Sequence, residues 1–310
     1  MKKSLVICVV FIFVIVIGEL FARFYLGLGD PPLSIGDCEI DYLFAPNQCC
    51  NRFGNRIEYN DFSMRCNYSL KDTNPEQRIF LVGDSVVNGG VLTDHNDLAT
   101  TILQERIDPS HESFQVLNVS AGSWGPGNYA AYFQRYKELI RTNDVIVVEV
   151  NSHDLWEDDP TKTRGANVGK DISLSDKKPC CALYDGFNRY FIPRMRRFFG
   201  VAEVNTKVDA PKWGNSISNP AASFNLKKLD ELYSYSWSKK YMLIYRSRKE
   251  TKENLESDGE RVFREFAKSK RITIIDCRLD SAVDYRDTIH PTQSGQKKIA
   301  EAILYELDCK

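Results

Sequence analysis

Short apolar runs alternate with segments of helical periodicity over most of the chain from residue 79 onward. A short continuous apolar run with β-branched members is typical of a buried strand. Five such runs lie at residues 79–82, 114–119, 144–150, 241–245 and 271–276. Helical spacing of apolar residues, or a run of charged helix formers, lies at 98–107, 129–140, 253–268 and after Thr292. Alternation of this kind predicts a parallel sheet with helices on both faces.

Two segments depart from this alternation. Residues 29–78 are polar and rich in turns, and we expect an extended polar arm that packs on the domain. Residues 156–240 contain no clear strand, and a loop of that length is usually functional or disordered. We expect a partly helical insertion over the carboxyl edge of the sheet. Its aromatic and basic stretch, 187–199, suits either contact with a membrane surface or anionic ligand, or a helix with an aromatic core face.

The N-terminus has the layout of a membrane-targeting segment. Lys2 and Lys3 precede a continuous apolar run, which interfacial aromatic residues extend to about residue 28. No clean small-residue cleavage site follows, so we expect residues 1–28 to be an uncleaved transmembrane anchor rather than a cleaved signal or a buried helix. The two lysines keep the N-terminus cytoplasmic, which places the rest of the chain on the periplasmic or extracellular side.

Composition narrows the function further. The formal net charge of −1 provides no global attraction to nucleic acid, so we expect no nucleic-acid partner. Eight cysteines follow the predicted anchor, and in an oxidising compartment an even number favours disulfides. No Cys-x-x-Cys pair supports the rival explanation, a zinc site. The eight are Cys38, Cys49, Cys50, Cys66, Cys180, Cys181, Cys277 and Cys309.

Candidate catalytic residues lie at both ends of the alternating region. Gly83, Asp84 and Ser85 end the first predicted strand, where open α/β sheets bind their ligands. A serine nucleophile needs an imidazole as its base, and the imidazole needs a carboxylate that orients it. His290 lies between the fifth strand and the last helix, and Asp287 precedes it by three residues in the same loop. Ser85, His290 and Asp287 therefore form a candidate triad.

Two further loops could supply hydrogen-bond donors to a developing oxyanion. Residues 118–125 follow the second predicted strand, and their small side chains allow close approach of the backbone. Residues 151–154 follow the third strand with polar side chains. Since parallel strands present their carboxyl ends at one edge, we expect both loops near Ser85.

These motifs resemble those of the SGNH/GDSL-type hydrolases, and more narrowly the membrane-anchored bacterial members. The resemblance covers residues 79–155 and 240–307 well and 58–78 loosely. It implies a flavodoxin-like three-layer α/β/α sandwich with a central, mostly parallel five-stranded sheet over 79–310. It also implies that Ser85 is the nucleophile, His290 the base and Asp287 its orienter, with no cofactor and no metal.

The resemblance implies an oxyanion hole built from the Ser85 amide, a glycine amide and an asparagine side chain. Gly122 fits the glycine within one residue, and Gly125 is the alternative. The third motif is usually Gly-x-Asn-Asp, whereas this chain has Asn151, Ser152, His153 and Asp154. The third donor is therefore His153, or Asn151 by a two-residue shift, unless His153 is a plain structural histidine.

Three functions remain open from the sequence. The first is an extracytoplasmic serine esterase that removes an O-acyl group, such as acetyl, from a cell-envelope glycan or lipid. The second is an O-acyltransferase that uses the same triad and passes the acyl group to a sugar hydroxyl. The third is a non-catalytic binding or assembly protein that retains the fold, which only the altered third motif supports.

Overall fold

The computed structural model describes residues 2–70, 74–170, 174–198, 220–236 and 239–308. Its strands are β1 (Ser34–Asp37), β2 (Asp41–Phe44), β3 (Gln48–Arg52), β4 (Asn55–Tyr59), β5 (Gln77–Gly83), β6 (Phe114–Ser120), β7 (Val145–Asn151), β8 (Lys240–Tyr245) and β9 (Thr273–Asp276). Its α-helices are α1 (Lys2–Leu20), α2 (Ser85–Asn88), α3 (Ala99–Ile107), α4 (Pro126–Arg135), α5 (Ala182–Gly186), α6 (Ile192–Phe198), α7 (Pro220–Ser234), α8 (Arg248–Glu253), α9 (Asp258–Lys270) and α10 (Gln293–Asp308).

The centre of the molecule is the predicted parallel five-stranded sheet. Its order is β6-β5-β7-β8-β9, and all four strand pairs are parallel. This is the strand order of flavodoxin-like folds, in which the chain reverses direction across the sheet between the first and third strands. The five predicted runs are thus confirmed as the strands of one sheet.

Helices cover both faces of the sheet. Side chains alternate between faces along a strand, so Phe80 and Val82 point to one core while Ile79 and Leu81 point to the other. The first core contains apolar residues of α4, α7 and α9, and the second contains those of α3 and α10. The three-layer α/β/α sandwich is therefore confirmed.

The predicted charged helix 253–268 corresponds to α9, which begins later, at Asp258. Only its first residue, Glu253, belongs to the preceding helix α8. Asn254 adopts a left-handed conformation (φ 46°) that ends α8, and the side chain of Ser257 caps α9 by accepting from the Glu260 amide at 3.3 Å. Local capping chemistry therefore interrupts a segment whose composition favours helix throughout.

The segment 29–78, expected to be an extended polar arm that packs on the domain, packs on it but is not extended throughout. It forms two antiparallel hairpins, β1–β2 and β3–β4. Ile40 and Met64 are fully buried in the core that also holds Phe80. The Tyr42 hydroxyl donates to the Gly122 carbonyl at 2.7 Å. Tertiary contacts of this kind make the segment an integral part of the domain.

The insertion is partly helical, as the sequence indicated. It contains α5, a π-helical turn (Phe187–Phe191), α6 and α7. The aromatic and basic stretch lies in these first helices, except Phe199, which is outside the described residues.

The N-terminal helix is long and apolar enough to cross a membrane. α1 continues as a π-helical turn, Phe21–Tyr25, and the most apolar 18-residue stretch of the apolar span Lys3–Tyr25 has a mean hydropathy of 3.1. Only 6% of its most apolar stretch is buried. A signal sequence has the same properties.

The expected disulfides do not form among the cysteines that the structure describes, all of which are free. Cys49 and Cys50 are neighbours on β3 and point to opposite faces, Cys49 to solvent and Cys50 to a small apolar cluster. Cys66 is buried, and its Sγ lies 3.2 Å from the side-chain amide nitrogen of Asn60. Cys309 lies outside the described residues.

Candidate active site

A sharp turn at the carboxyl end of β5 positions Ser85. Asp84 leaves the strand with φ −95° and ψ −144°, and its carboxylate accepts a hydrogen bond from the Val86 amide at 2.7 Å, which starts α2 at Ser85. A Cβ at Gly83 would lie 2.4 Å from the Val87 side chain and 2.8 Å from a carboxyl oxygen of Glu149. Glycine at position 83 is therefore required for the turn to pack on the sheet.

His290 lies within hydrogen-bond distance of both other residues of the candidate triad. Ser85 Oγ is 3.0 Å from His290 Nε2, and His290 Nδ1 is 2.8 Å from Asp287 Oδ2. With the ring hydrogen on Nδ1, the imidazole donates to Asp287 and accepts from the Ser85 hydroxyl. This is the geometry that a serine nucleophile with its base and orienting acid requires.

Asp287 is held in place by its own loop. Its Oδ1 accepts from the backbone amides of Ile289 and His290, at 3.0 and 2.8 Å. Burial by itself would raise the pKa of Asp287, but these two amides and the His290 ring hold that pKa below its usual value. The carboxylate therefore remains charged at neutral pH, which favours one orientation of the imidazole.

Backbone contacts fix the loop that carries His290. The Arg248 amide donates to the Thr288 carbonyl at 2.9 Å, and the Arg286 amide donates to the His290 carbonyl at 3.0 Å. The Arg286 guanidinium also donates to the Gly89 carbonyl at 2.9 Å, just after α2. Arg286 thus joins the loop of His290 to the turn that follows Ser85.

A second arginine supports the nucleophile loop from the other side. Arg65 is buried, and its guanidinium donates to the carbonyls of Asn88, Gly90 and Thr93 at 3.0, 2.7 and 3.0 Å. Sequence reasoning missed this residue because it lies in the segment interpreted as a polar arm. Arg286, directly before Asp287, was missed although its neighbour pointed to the site.

Gly122 and Ser85 occupy equivalent places on neighbouring strands. Gly83 pairs with Ser120 in the parallel register. Ser85 lies two positions after Gly83, and Gly122 lies two positions after Ser120. The Ser85 amide is at the start of α2, where amides lack intrahelical partners. The alternative glycine is engaged elsewhere, because the Gly125 amide donates to the Asn128 side chain at 2.9 Å.

The structure separates the two candidates for the third donor. Asn151 is buried, and its side-chain amide donates to Asp84 Oδ2 at 3.3 Å and to Asp154 Oδ1 at 3.2 Å. The side-chain oxygen of Asn151 accepts a hydrogen bond from the backbone amide of His153 at 3.0 Å. The His153 side chain is exposed. Asn151 therefore connects the nucleophile turn to the third loop, and His153 is the residue of this pair that faces solvent.

Buried carboxyls lie beneath the nucleophile turn. Glu149 is fully buried on β7 and faces Asp84 and Asn151, but neither carboxyl oxygen makes a hydrogen bond of normal geometry to a described residue. Burial, and then the charges of Asp84 and Asp154, raise the pKa of Glu149 well above its usual value. Burial and the charge of Asp84 likewise raise the pKa of Asp154. Both groups therefore favour the protonated form in the folded protein.

No cation site is apparent in the part of the chain that the structure describes. Within those ranges, no group of three or more His, Cys, Asp or Glu side chains has a geometry that could hold a metal ion.

Comparison with known proteins gives matches at the level of structure. No protein-family model matches the chain, and no curated protein matches it. A member of the lipolytic protein G-D-S-L family from Veillonella parvula matches with 12% identity and a TM-score of 0.41, over 74% of this chain and 97% of the other. An alpha/beta hydrolase enzyme from the metagenome of Lake Arreo in Spain matches with 15% identity and a TM-score of 0.46, over 78% and 99%.

An acetylxylan esterase from Geobacillus stearothermophilus matches with 15% identity and a TM-score of 0.41, over 76% of this chain and 95% of the other. At such identities the likeness concerns the fold, and we base the chemistry on the distances within the site. These matches are a GDSL-type lipolytic protein, an alpha/beta hydrolase and an acetylxylan esterase, and we base the fold on the strand order of the central sheet.

Proposed function

We propose that the chain is a membrane-anchored serine esterase of the SGNH/GDSL type. The observation that carries this proposal is the continuous contact from Ser85 Oγ through the His290 ring to Asp287, at 3.0 and 2.8 Å. The three residues come from opposite ends of the domain, 205 and 3 positions apart.

The reaction follows from the positions of these groups. Ser85 Oγ attacks the ester carbonyl carbon while its proton passes to His290 Nε2, and the carbonyl oxygen becomes an oxyanion. The carbon–oxygen bond to the alcohol then breaks, and Nε2 returns the proton to the departing alcohol oxygen. Water attacks the acyl-Ser85 ester in the same way, its proton passing to Nε2, and the carboxylic acid leaves as Ser85 regains its hydrogen.

The oxyanion would be stabilised by the amides of Ser85 and Gly122 and by the His153 ring. Preorganised donors at this point are worth about 3 kcal/mol each in the barrier. A neutral imidazole can donate one hydrogen bond, as an asparagine side chain does.

The substrate that fits is an O-acyl ester, such as an O-acetyl group, carried on a cell-envelope glycan or lipid. The site is open to solvent, since the His290 and Asp287 side chains are 32% and 48% exposed. An open site suits an ester that is attached to a large molecule. Lys2 and Lys3 before the apolar span favour an N-terminus in the cytoplasm and a catalytic domain outside it.

An assay of acetyl release from an acetylated glycan, with and without a free sugar acceptor, tests this function. We expect acetate release into water by the wild type and none by Ser85→Ala. Transfer to the sugar without release into water would replace the esterase by the acyltransferase. Neither reaction on a panel of acyl esters, from a folded wild type, would favour the non-catalytic protein.

A further inference from the structure

An apolar cavity lies between the end of the N-terminal helix and the insertion. Its volume is about 580 Å³, and its walls are almost entirely apolar. Its lining includes Ala22 and Leu28 near the end of the N-terminal helix, Phe53, and Phe187 and Tyr190 of the insertion. Volumes of this size are typical of small-molecule sites, roughly 300–1,000 Å³. Apolar walls do not hold ordered water, so an apolar ligand fits this cavity best.

The insertion is attached firmly to the end of the apolar span. Glu19 accepts hydrogen bonds from the backbone amides of Ala182 and Leu183, at 2.8 and 2.9 Å, and so caps α5. The same carboxylate pairs with Arg23 at 2.8 Å, and Arg23 donates to the Cys180 carbonyl at 3.0 Å. These contacts hold residues 182–198, which we call the helical arm, at the level where the span ends.

The helical arm presents large apolar side chains to its surroundings. Tyr184, Phe187 and Phe191 are 67%, 50% and 51% exposed. Arg194 is exposed as well and forms part of the cavity's lining. Aromatic residues next to basic residues at the end of an apolar span are typical of the interfacial layer of a bilayer, where anionic headgroups attract arginine.

We propose that the cavity holds an acyl chain of a membrane phospholipid, with the helical arm in the headgroup layer and Arg194 beside an anionic headgroup. This inference depends on the membrane anchorage proposed above, and it does not depend on the chemistry of Ser85. An acyl chain needs no hydrogen bonds, whereas a peptide in this cavity would leave its backbone groups unpaired. One wall belongs to the apolar span itself, so a lipid enters from the bilayer without crossing water.

Photocrosslinking in lipid nanodiscs tests the occupant. The full chain is reconstituted with a phosphatidylglycerol that carries a diazirine in its acyl chain, irradiated, and mapped by peptide mass spectrometry. We expect adducts on Phe187 and Tyr190. Leu26→Trp, which fills the cavity, should reduce these adducts about tenfold, whereas Leu20→Trp, on the exposed side of α1, should leave them unchanged. Equal labelling in both variants, or adducts only on α1, would overturn the proposal.

The headgroup preference is tested with the same probe carrying a phosphatidylcholine head. We expect several-fold fewer cavity adducts with the zwitterionic lipid, and we expect Arg194→Gln to abolish this difference. Arg196→Gln is the matched control, because Arg196 is exposed on the same arm but does not line the cavity. Equal adducts from both lipids in the wild type would refute the role of Arg194. Fluorophosphonate labelling of Ser85 in the same nanodiscs reports the esterase separately.

Discussion

His153 stands where the resemblance places an asparagine. Its backbone amide is held by Asn151, so the orientation of the loop depends on a buried residue while the exposed side chain faces solvent. In the proposed oxyanion hole, Asn151 would hold the loop and the His153 ring would donate the hydrogen bond. The position of the loop and the hydrogen bond from the His153 ring can therefore be tested by separate substitutions.

If the His153 ring donates to the oxyanion, His153→Ala should lower kcat by about 10²- to 10³-fold with little change in KM. His153→Asn should restore most of the activity, because an asparagine can donate in its place. The measurement is steady-state hydrolysis of a small acyl ester. An alanine variant with wild-type kcat would show that His153 is only structural.

Asp287→Asn should leave the fold intact and lower kcat by roughly 10⁴-fold, because an amide does not hold the hydrogen of the imidazole on Nδ1. The matched control is Asp280→Asn in the preceding exposed part of the same loop, where the carboxylate accepts from the Ala282 amide at 2.8 Å. We expect that variant to keep wild-type kcat. Equal losses in the two variants would indicate a general effect on the loop.

At the level of elements, β7 carries an unusual ionisable residue. Glu149 interrupts an apolar strand, yet its side chain is fully buried beneath the nucleophile turn. Its pKa is raised by burial and by neighbouring carboxylates. The contribution of such a group to stability is full below the unfolded pKa, about 4.3, and is lost as the pH rises toward the folded pKa.

Glu149→Gln should therefore reduce the loss of stability between about pH 5 and pH 8, since glutamine mimics the protonated acid at every pH. The expected difference in slope is at most about 1.4 kcal/mol per pH unit for one proton. Urea unfolding of the full chain in detergent measures it. The same pH dependence in both proteins would contradict the assignment.

Glu260→Gln is a control in which we expect the substitution to lower the free energy of unfolding. Glu260 is as buried as Glu149 but pairs with Arg246 at 2.8 Å and with Arg264 at 2.8 Å. Its removal takes a buried carboxylate away from two partly exposed arginines, so we expect destabilisation at both pH values.

The elements that the sequence predicted well are those whose signal is local. Five apolar runs are sufficient to identify five central strands, and the spacing of Asp287 and His290 identifies a loop. The hairpins were missed because β3 and β4 are short and largely polar, and their burial comes from contacts with distant residues. Glu149 was missed because a single charge in an apolar run gives no indication of burial. The only hint in the sequence that Glu149 lies at the site was the polar Asn151, which follows it on the same strand.

At the scale of the whole molecule, the N-terminal apolar helix and the domain are joined through Glu19 and the helical arm. Two lysines before the apolar span predict an external domain. Proteinase K added to spheroplasts of expressing bacteria should digest the domain while a cytoplasmic marker survives. Replacing Lys2 and Lys3 by glutamate should increase the protected fraction. A domain that is digested only after the membrane is broken would place it in the cytoplasm.

The chemistry of Ser85 is tested most directly by a fluorophosphonate probe followed by intact-mass and peptide analysis of the full chain. We predict one adduct, on Ser85, in the wild type. The adduct should be absent in Ser85→Ala and formed far more slowly in His290→Ala, in which Ser85 lacks its base. A folded wild-type protein that forms no adduct, or forms one that persists in Ser85→Ala, would contradict the assignment of Ser85 as the nucleophile.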